Sequence, residues 1–255
     1  DPEIPPHVFQ IVPVEKKQIR GTQALVIGTF DEVAIEMGLQ LKEKTDGKVT
    51  ILTIDQEEGK ESLHQALAMG ANEAILLSDP SFQEADAYGK ARILAAAIKK
   101  LGDADVVLCG RQAGDVELGL VGMFLGEALA LPSVNLVAQI EPVNGKAHLR
   151  RPIEGGYEIL EASLPFLGTA VNDESNVPRY ASVRGIRKAM RKKIPVWSAA
   201  DLGIDPAEIG PEAVRIEMEE LYIPERDVRC EFIEGESGEE KAQLLVQRLK
   251  ELQVI

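Results

Sequence analysis

Apolar and polar positions along the first half of the chain predict strands and helices in strict turn. Short aliphatic or β-branched runs at 49–54, 74–77 and 106–109 have the length of buried strands. Between and after them, 31–44, 60–69, 87–101 and 120–131 have helical length with an apolar face. Gly70 and Gly102 stand where a helix C-terminus wants a glycine, and Thr29 or Asp31 is placed to cap the first helix. The order β–α–β–α–β–α predicts an α/β fold, a parallel sheet with helices on both faces.

The second half changes period. Four strand-like runs follow at 136–141, 146–151, 157–162 and 166–171, with Asn144-Gly145 as a hairpin turn and Gly155-Gly156 between the next pair. They predict an antiparallel extension. A basic helix over 182–193 with Ser182 as its cap comes next, then a helical turn at 197–202 and a strand-like run at 214–221. A last helix over 239–252 puts Ala242, Leu245, Val246, Leu249 and Leu252 on one face. The Pro-rich opening, 1–20, leaves room only for one short edge strand within 9–14.

Composition narrows the functions open to such a fold. With 255 residues, 45% hydrophobic, 27% charged and a net charge of −14, nucleic acid and anionic membrane are excluded as general partners. The segment 179–193 is nevertheless strongly basic, which suggests a local docking surface. The two cysteines, Cys109 and Cys230, have no framework spacing, so a reducing, cytoplasmic compartment is expected. No apolar run reaches membrane-spanning length.

The stretch 105–123 carries the candidate chemistry. A strand, a loop containing Gly110, Gly114 and Gly119, and a helix start at Leu120, Val121 and Gly122 can offer backbone N–H groups to an anion. The same pattern also suits an ordinary strand–turn–helix whose glycines allow close packing. It is neither a dinucleotide fingerprint nor a P-loop. Arg111 could pair with a phosphate, and Asp115 and Glu117 could act on protons or bind ribose hydroxyls. His7, His64 and His148 lie in unrelated segments without metal-ligand spacing, and no nucleophile motif is present. No metal and no catalytic residue is assigned.

The run Leu108-Cys109-Gly110-Arg111-Gln112-Ala113-Gly114-Asp115 resembles the nucleotide loop of the electron transfer flavoprotein beta subunit family. Phe30-Asp31-Glu32, Ala66-Leu67-Ala68-Met69-Gly70-Ala71, Pro178-Arg179-Tyr180-Ala181 and the terminal helix are similar to further stretches of that family, in its order. The resemblance implies an adenine-nucleotide-hydrolase-like fold and a heterodimer with an alpha subunit. It implies one FAD shared with that subunit, and AMP, or in electron-bifurcating members a second FAD, held in this one. It also implies transient docking on flavin-dependent dehydrogenases, the subunit being an electron carrier rather than a catalyst on its own. The nucleotide pocket is then Gly28, Thr29, Phe30 and Asp31, with Thr53, Ile54 and Asp55, and the loop from Gly110 to Gly122. Docking falls to Val183 as an apolar anchor, with Arg184, Arg187, Lys188 and Arg191.

The resemblance divides the chain into a nucleotide-binding domain, 1–195, containing the basic recognition segment 176–194, and a C-terminal arm, 196–255, whose helix packs on the alpha subunit. Three departures qualify it. The family's opening strand has no counterpart ahead of Asp1, and Gly28-Thr29 replaces its Asn-Pro. The polar residues that hold a monophosphate in AMP-binding members are replaced by Val116-Glu117-Leu118-Gly119-Leu120-Val121-Gly122. This points to FAD, with a divergent AMP site as the alternative, while Phe30-Asp31-Glu32 and Cys109-Gly110-Arg111-Gln112-Ala113 resemble the bifurcating or nitrogen-fixation-associated branch. A stand-alone nucleotide-binding protein or hydrolase of the same superfamily is the other reading.

Overall fold

The structure, a computed structural model, describes residues 2–3, 11–12, 17–18, 26–102, 104–114, 116–216, 219–220, 222 and 230–255. It divides into two units, Asp1–Glu220 and Leu221–Ile255.

In the first unit β1 (Pro2–Glu3) pairs antiparallel with β4 (Val26–Ile27), and β2 (Ile11–Val12) with β3 (Lys17–Gln18). Helix α1 (Thr29–Thr45) follows, then β5 (Thr50–Ile54), α2 (Lys60–Met69), β6 (Glu73–Leu77), α3 (Ala87–Leu101), β7 (Val106–Gly110) and α4 (Val121–Leu129). This is the alternation expected from the sequence. Gly70 closes α2 at φ 133°, a conformation only glycine adopts without strain.

The chain then runs through β8 (Ser133–Val137), β9 (Gln139–Val143), β10 (Lys146–Ile153), β11 (Gly156–Ser163) and β12 (Phe166–Ala170). Strands β9, β10 and β11 form the antiparallel sheet. Two expectations are corrected here. The run 166–171 is not antiparallel: β12 is the central strand of a parallel sheet ordered β7-β12-β8. All five of its residues are buried, and burial on both faces erases the alternation that marks a one-sided strand. The run 136–141 is not one strand either. Leu136 takes a positive φ of 55° and the ladder slips its register between Gly168 and Ala170. The chain thereby passes from the parallel to the antiparallel sheet at Ala138, whose N–H donates to the Arg150 carbonyl.

Helix α5 (Val183–Ala189) is capped by the Ser182 side chain, as expected, but is shorter than 182–193. It stops ahead of the like-charged run 191–193 and Pro195. Trp197 is not helical: β13 (Val196–Trp197) lies parallel to β6, completing the sheet β13-β6-β5, and α6 (Ala199–Leu202) follows. Ile209 is buried with Ile75, Leu77, Ile93 and Ala199, so the first unit continues beyond residue 195. Residues 214–216 form no strand. The Arg215 and Ile216 amides instead donate to Asp86 Oδ2 at 2.7 and 3.0 Å. Residues 217, 218 and 221 of that expected strand lie outside the described residues, as do 9, 10, 13 and 14 of the opening one.

The core follows the period-two rule. On β12, Phe166 and Ala170 face α1, while Leu167 packs with Ala91 and Ala95 of α3 and Leu125 of α4. On β6, Ala74 and Leu76 face α2 and Ala189 of α5, while Ile75 and Leu77 face α3. Helix α1 reaches both parallel sheets: a Cβ added at Gly38 would lie 3.7 Å from Val49 and 3.9 Å from Leu108. In the second unit α7 (Gly238–Glu251) is capped by Ser237 and buries none of its residues, leaving Leu244, Leu245 and Val246 exposed. Among the described residues no helix is long and apolar enough to cross a membrane.

Leu149 is fully buried among Val137, Ile140 and Phe166, where the antiparallel sheet meets α1. Leu149→Ala is expected to cost about 2–5 kcal/mol, read as a lowered midpoint in urea unfolding with an unchanged slope.

Candidate functional site

Loops at the carboxyl ends of parallel strands are where an α/β sheet gathers ligands, and the one after β7 meets the start of α1. The Gly110 amide donates to Asp31 Oδ1 at 2.9 Å. A Cβ at Gly110 would lie 2.8 Å from that oxygen and 2.9 Å from the Asp31 nitrogen and the Phe30 carbonyl carbon. Only glycine lets the end of β7 come this close. Asp31 sits in the first turn of α1, where the helix dipole favours a carboxylate. It is not the cap, and neither is Thr29: Gly28 fills that place without a side-chain bond, its carbonyl accepting from the amides of Asp31 and Glu32.

One residue further on, the Arg111 guanidinium lies 4.8 Å above the Phe30 ring, and its Nε donates to Gln112 Oε1 at 3.1 Å. The Arg111 amide donates to the Ala170 carbonyl at 3.0 Å. The loop returns at Gly119, whose φ of 65° suits glycine and whose Cβ position would be 3.3 Å from the Arg111 carbonyl. Phe30, Asp31, Gly110, Arg111, Gln112 and Gly119 are thus brought together. Gly114 is exposed and Ala113 half-buried beside them, while Asp115 lies outside the described residues.

The glycines divide between two tasks. Gly110 serves close packing, and so does Gly122, where a Cβ would meet Thr169 Cγ2 at 2.7 Å. The Gly110 and Arg111 amides are already engaged and offer nothing to an anion. Helix α4 starts at Val121 after Leu120, and among the described residues no side chain caps its first turn, an arrangement whose amides suit an anion. Thr53 and Ile54 end β5 in the other parallel sheet, and Asp55 follows them. The Asp55 amide donates to the Leu77 carbonyl, and Gly59 packs so tightly on Asp55 that a Cβ would fall 2.6 Å from its own.

Cys109 is the residue before Gly110 on β7. It is half-buried as a residue, but its thiol faces the cluster of Val107, Leu125 and Leu167. Burial, with the negative charge of Asp31, pushes the thiol up to about 12, so it stays protonated and inert at neutral pH. His64 lies on α2, and His148 on β10 stands 3.6 Å from Glu161 Oε2. His7 is outside the described residues. Among the described residues no three His, Cys, Asp or Glu groups come together as a metal site.

The second surface is the basic segment. Helix α5 sits on the C-terminal end of α2, where a Cβ at Gly185 would be 2.5 Å from the Ala68 carbonyl oxygen. Ala189 is buried beneath it, and Lys192 Nζ donates to the Asn72 carbonyl. Val183, Arg184, Arg187, Lys188 and Arg191 all face outward. Sequence reasoning missed Ile186 and Met190, 47% and 68% exposed, which continue the Val183 face at helical spacing. It also missed what Arg179 does. Arg179 bridges Glu36 and Glu43 of α1, and its hydrogen bonds hold the Glu43 carboxyl below the usual carboxylate range. The Pro-Arg-Tyr run was the available signal, but it names no partner.

The Electron transfer flavoprotein domain family matches residues 19–202. Electron transfer flavoprotein subunit beta of Thermoanaerobacterium thermosaccharolyticum is 38% identical over 247 residues, covering 96% of this chain and 94% of that protein. Caffeyl-CoA reductase-Etf complex subunit CarD of Acetobacterium woodii is 37% identical over 247 residues, with coverage of 96% and 94%. Electron transfer flavoprotein subunit beta of Clostridium acetobutylicum is 36% identical over 242 residues, covering 95% and 92%.

Gly110→Ala is expected to force β7 away from the first turn of α1 at a cost of about 1–3 kcal/mol. Gly156→Ala, where an added Cβ meets nothing within 4 Å, should stay within about 0.5 kcal/mol of the parent. Urea unfolding of the two variants side by side checks the difference.

Proposed function

Because the chain belongs to the electron transfer flavoprotein beta subunit family, we propose that it pairs with an alpha subunit and passes electrons between flavin-dependent dehydrogenases and a downstream acceptor in the cytoplasm. The family's flavin supplies the electron-carrying chemistry, and the protein supplies binding, orientation and electrostatics. The observation that carries the proposal is the Asp31–Gly110 bond. It joins the start of α1 to the glycine loop and leaves Phe30 and Arg111 stacked at one edge of the site.

The residues present fit a nucleotide. The uncapped first turn of α4 suits a phosphate. Arg111, braced by Phe30 and Gln112, adds a fixed positive charge, and Gly28 and Thr29 adjoin Phe30 at the start of α1. FAD shared with the alpha subunit is one bound group. For the nucleotide held within this subunit we favour a second FAD over AMP. Val116 and Leu118 stand exposed where a monophosphate site would need polar side chains, while the uncapped turn and Gly119 leave backbone amides and room. Two FAD molecules would allow electron bifurcation; AMP would confine this subunit to a structural role.

Two surfaces serve partners in this reading. The apolar face of α7, with Leu245 and Val246 exposed, packs on the alpha subunit. Helix α5 docks transiently on a dehydrogenase, with Val183 as anchor and Arg184, Arg187, Lys188 and Arg191 steering towards acidic surfaces.

Denaturing the purified heterodimer and quantifying the released nucleotides tests the site: two FAD per heterodimer are expected, and one FAD with one AMP would return the AMP reading. Val183→Ala is expected to raise the apparent KM for the heterodimer in dehydrogenase-coupled electron transfer about fivefold or more, with flavin content unchanged. Unaltered transfer kinetics would remove the docking role.

A further inference from the structure

Arg179 donates five hydrogen bonds to two carboxylates of α1. Its Nε and Nη2 reach Glu36 Oε2 and Oε1 at 2.8 and 2.9 Å, and its main-chain amide reaches Glu36 Oε2 at 3.2 Å. Its Nη1 and Nη2 reach Glu43 Oε1 and Oε2 at 2.5 and 3.2 Å. Glu36 is only 4% exposed. A carboxylate that deep is sustained only by a charged, hydrogen-bonded partner. Gln40 closes the arrangement, its Nε2 donating to Glu36 Oε1 at 3.2 Å and to the Ser175 carbonyl at 3.0 Å.

The residues after this bridge alternate between the interior and the surface. In extended backbone successive side chains point to opposite sides. Arg179 is held inward, so Tyr180 points out and is 100% exposed. Ala181 turns back to pack against the cluster of Leu63, Leu67 and Leu76. Ser182 caps α5 through the Gly185 amide at 3.0 Å, and Val183 emerges 69% exposed. A fully exposed tyrosine three residues from an exposed valine on a rigid seat has the character of an interface anchor. Large aromatic rings bury much area at low entropy cost, and they dominate binding energetics. Arg184, Arg187, Lys188 and Arg191 stand exposed on the following helix and turn, in a chain whose net charge is −14. The surface that fits is therefore apolar at its centre and carboxylate-bearing at its rim.

We propose that Tyr180 is a second anchor beside Val183 for an acid-rimmed pocket on a flavin-dependent dehydrogenase, and that Arg179, through Glu36 and Glu43, is its positioning residue. The inference rests on the docking role of α5 proposed above.

The test uses the intact heterodimer with its flavin, and a flavin-dependent acyl-CoA dehydrogenase reduced by its substrate as electron donor. Tyr180→Ala should raise the apparent KM for the heterodimer about tenfold, Tyr180→Phe should restore it, and FAD content should not change. For the bridge, Glu36→Gln with Arg179→Met removes both charges together, so that no buried carboxylate is left unpaired. This double change should raise KM alone, and add less than its own effect when combined with Tyr180→Ala. Should it fail to fold, Glu43→Gln, on the exposed side of the bridge, gives a smaller rise of the same non-additive kind. A KM raised by Val183→Ala but not by Tyr180→Ala would overturn the second anchor and leave the docking role standing. If neither variant moved KM, the docking role itself would fall. Loss of the alpha subunit from Tyr180→Ala would assign the ring to the subunit interface instead, and a lower melting temperature with unchanged KM in the bridge variants would leave Arg179 a structural residue only.

Discussion

Helix α1 holds the first unit's two candidate surfaces through carboxylates that point in different directions. Asp31 accepts from Gly110, and Glu36 and Glu43 accept from Arg179. Five residues separate Asp31 from Glu36, which at 3.6 residues per turn sets their side chains about 140° apart. One therefore reaches the glycine loop and the other the segment before α5. The two bonds are unequal. A hydrogen bond from an amide to an exposed or half-buried carboxylate is worth roughly 1.5–3 kcal/mol. Breaking a buried ion pair from one side costs about 3–5 kcal/mol, because the abandoned charge stays in the interior. Arg179–Glu36 is thus the stronger fixture, and the docking segment is tied to α1 more firmly than the glycine loop is.

The same helix explains why part of the fold was hard to read. Its apolar residues Val33, Ile35, Met37 and Leu39 do not fall on a single helical face. Val33 and Met37 pack with Phe166 and Leu149, while Ile35 and Leu39 pack with Ile27 and Ala66. Burial on two sides blurs the amphipathic pattern that a surface helix shows. The alternation of strands and helices was legible because each strand is a short apolar run bounded by polar turns. The position of β12 was not legible. An all-buried strand looks alike in any sheet, and only its register against Val106–Gly110 settles which sheet receives it.

At the candidate site the sequence grouped Phe30 and Asp31 with Gly110 and Arg111, which the fold brings together, and left their tasks undivided. Phe30, Asp31, Gly110 and Arg111 could be grouped because family-like motifs cluster at strand ends. That Gly110 and Gly122 are needed for packing, while α4 keeps an uncapped first turn, depends on distances to Asp31 and Thr169 that no local pattern encodes. Arg179 is the sharper case. Among the seven basic residues of 179–193 it reads as one more surface cation, whereas its partner Glu36 lies 143 residues away on a helix. A glutamate in a helix ordinarily marks the solvent side; here it is the most enclosed charge among the described residues.

The corner at Leu136 to Ala138 bears on how chains of this kind can vary in length. Two sheets of opposite character are joined there by a single residue in the left-handed region and a slipped ladder. Side chains on a strand alternate, so adding or deleting one residue at the corner would exchange the faces of β9. Ile140, 5% exposed, would turn to water, and Gln139 would be driven into the core. Length changes are tolerable instead at the hairpin tips, Asn144-Gly145 and Gly155, where added side chains meet open space. The corner works as a fixed splice between a parallel module and an antiparallel one, and the outer sheet can change length only from its far ends without exchanging its faces.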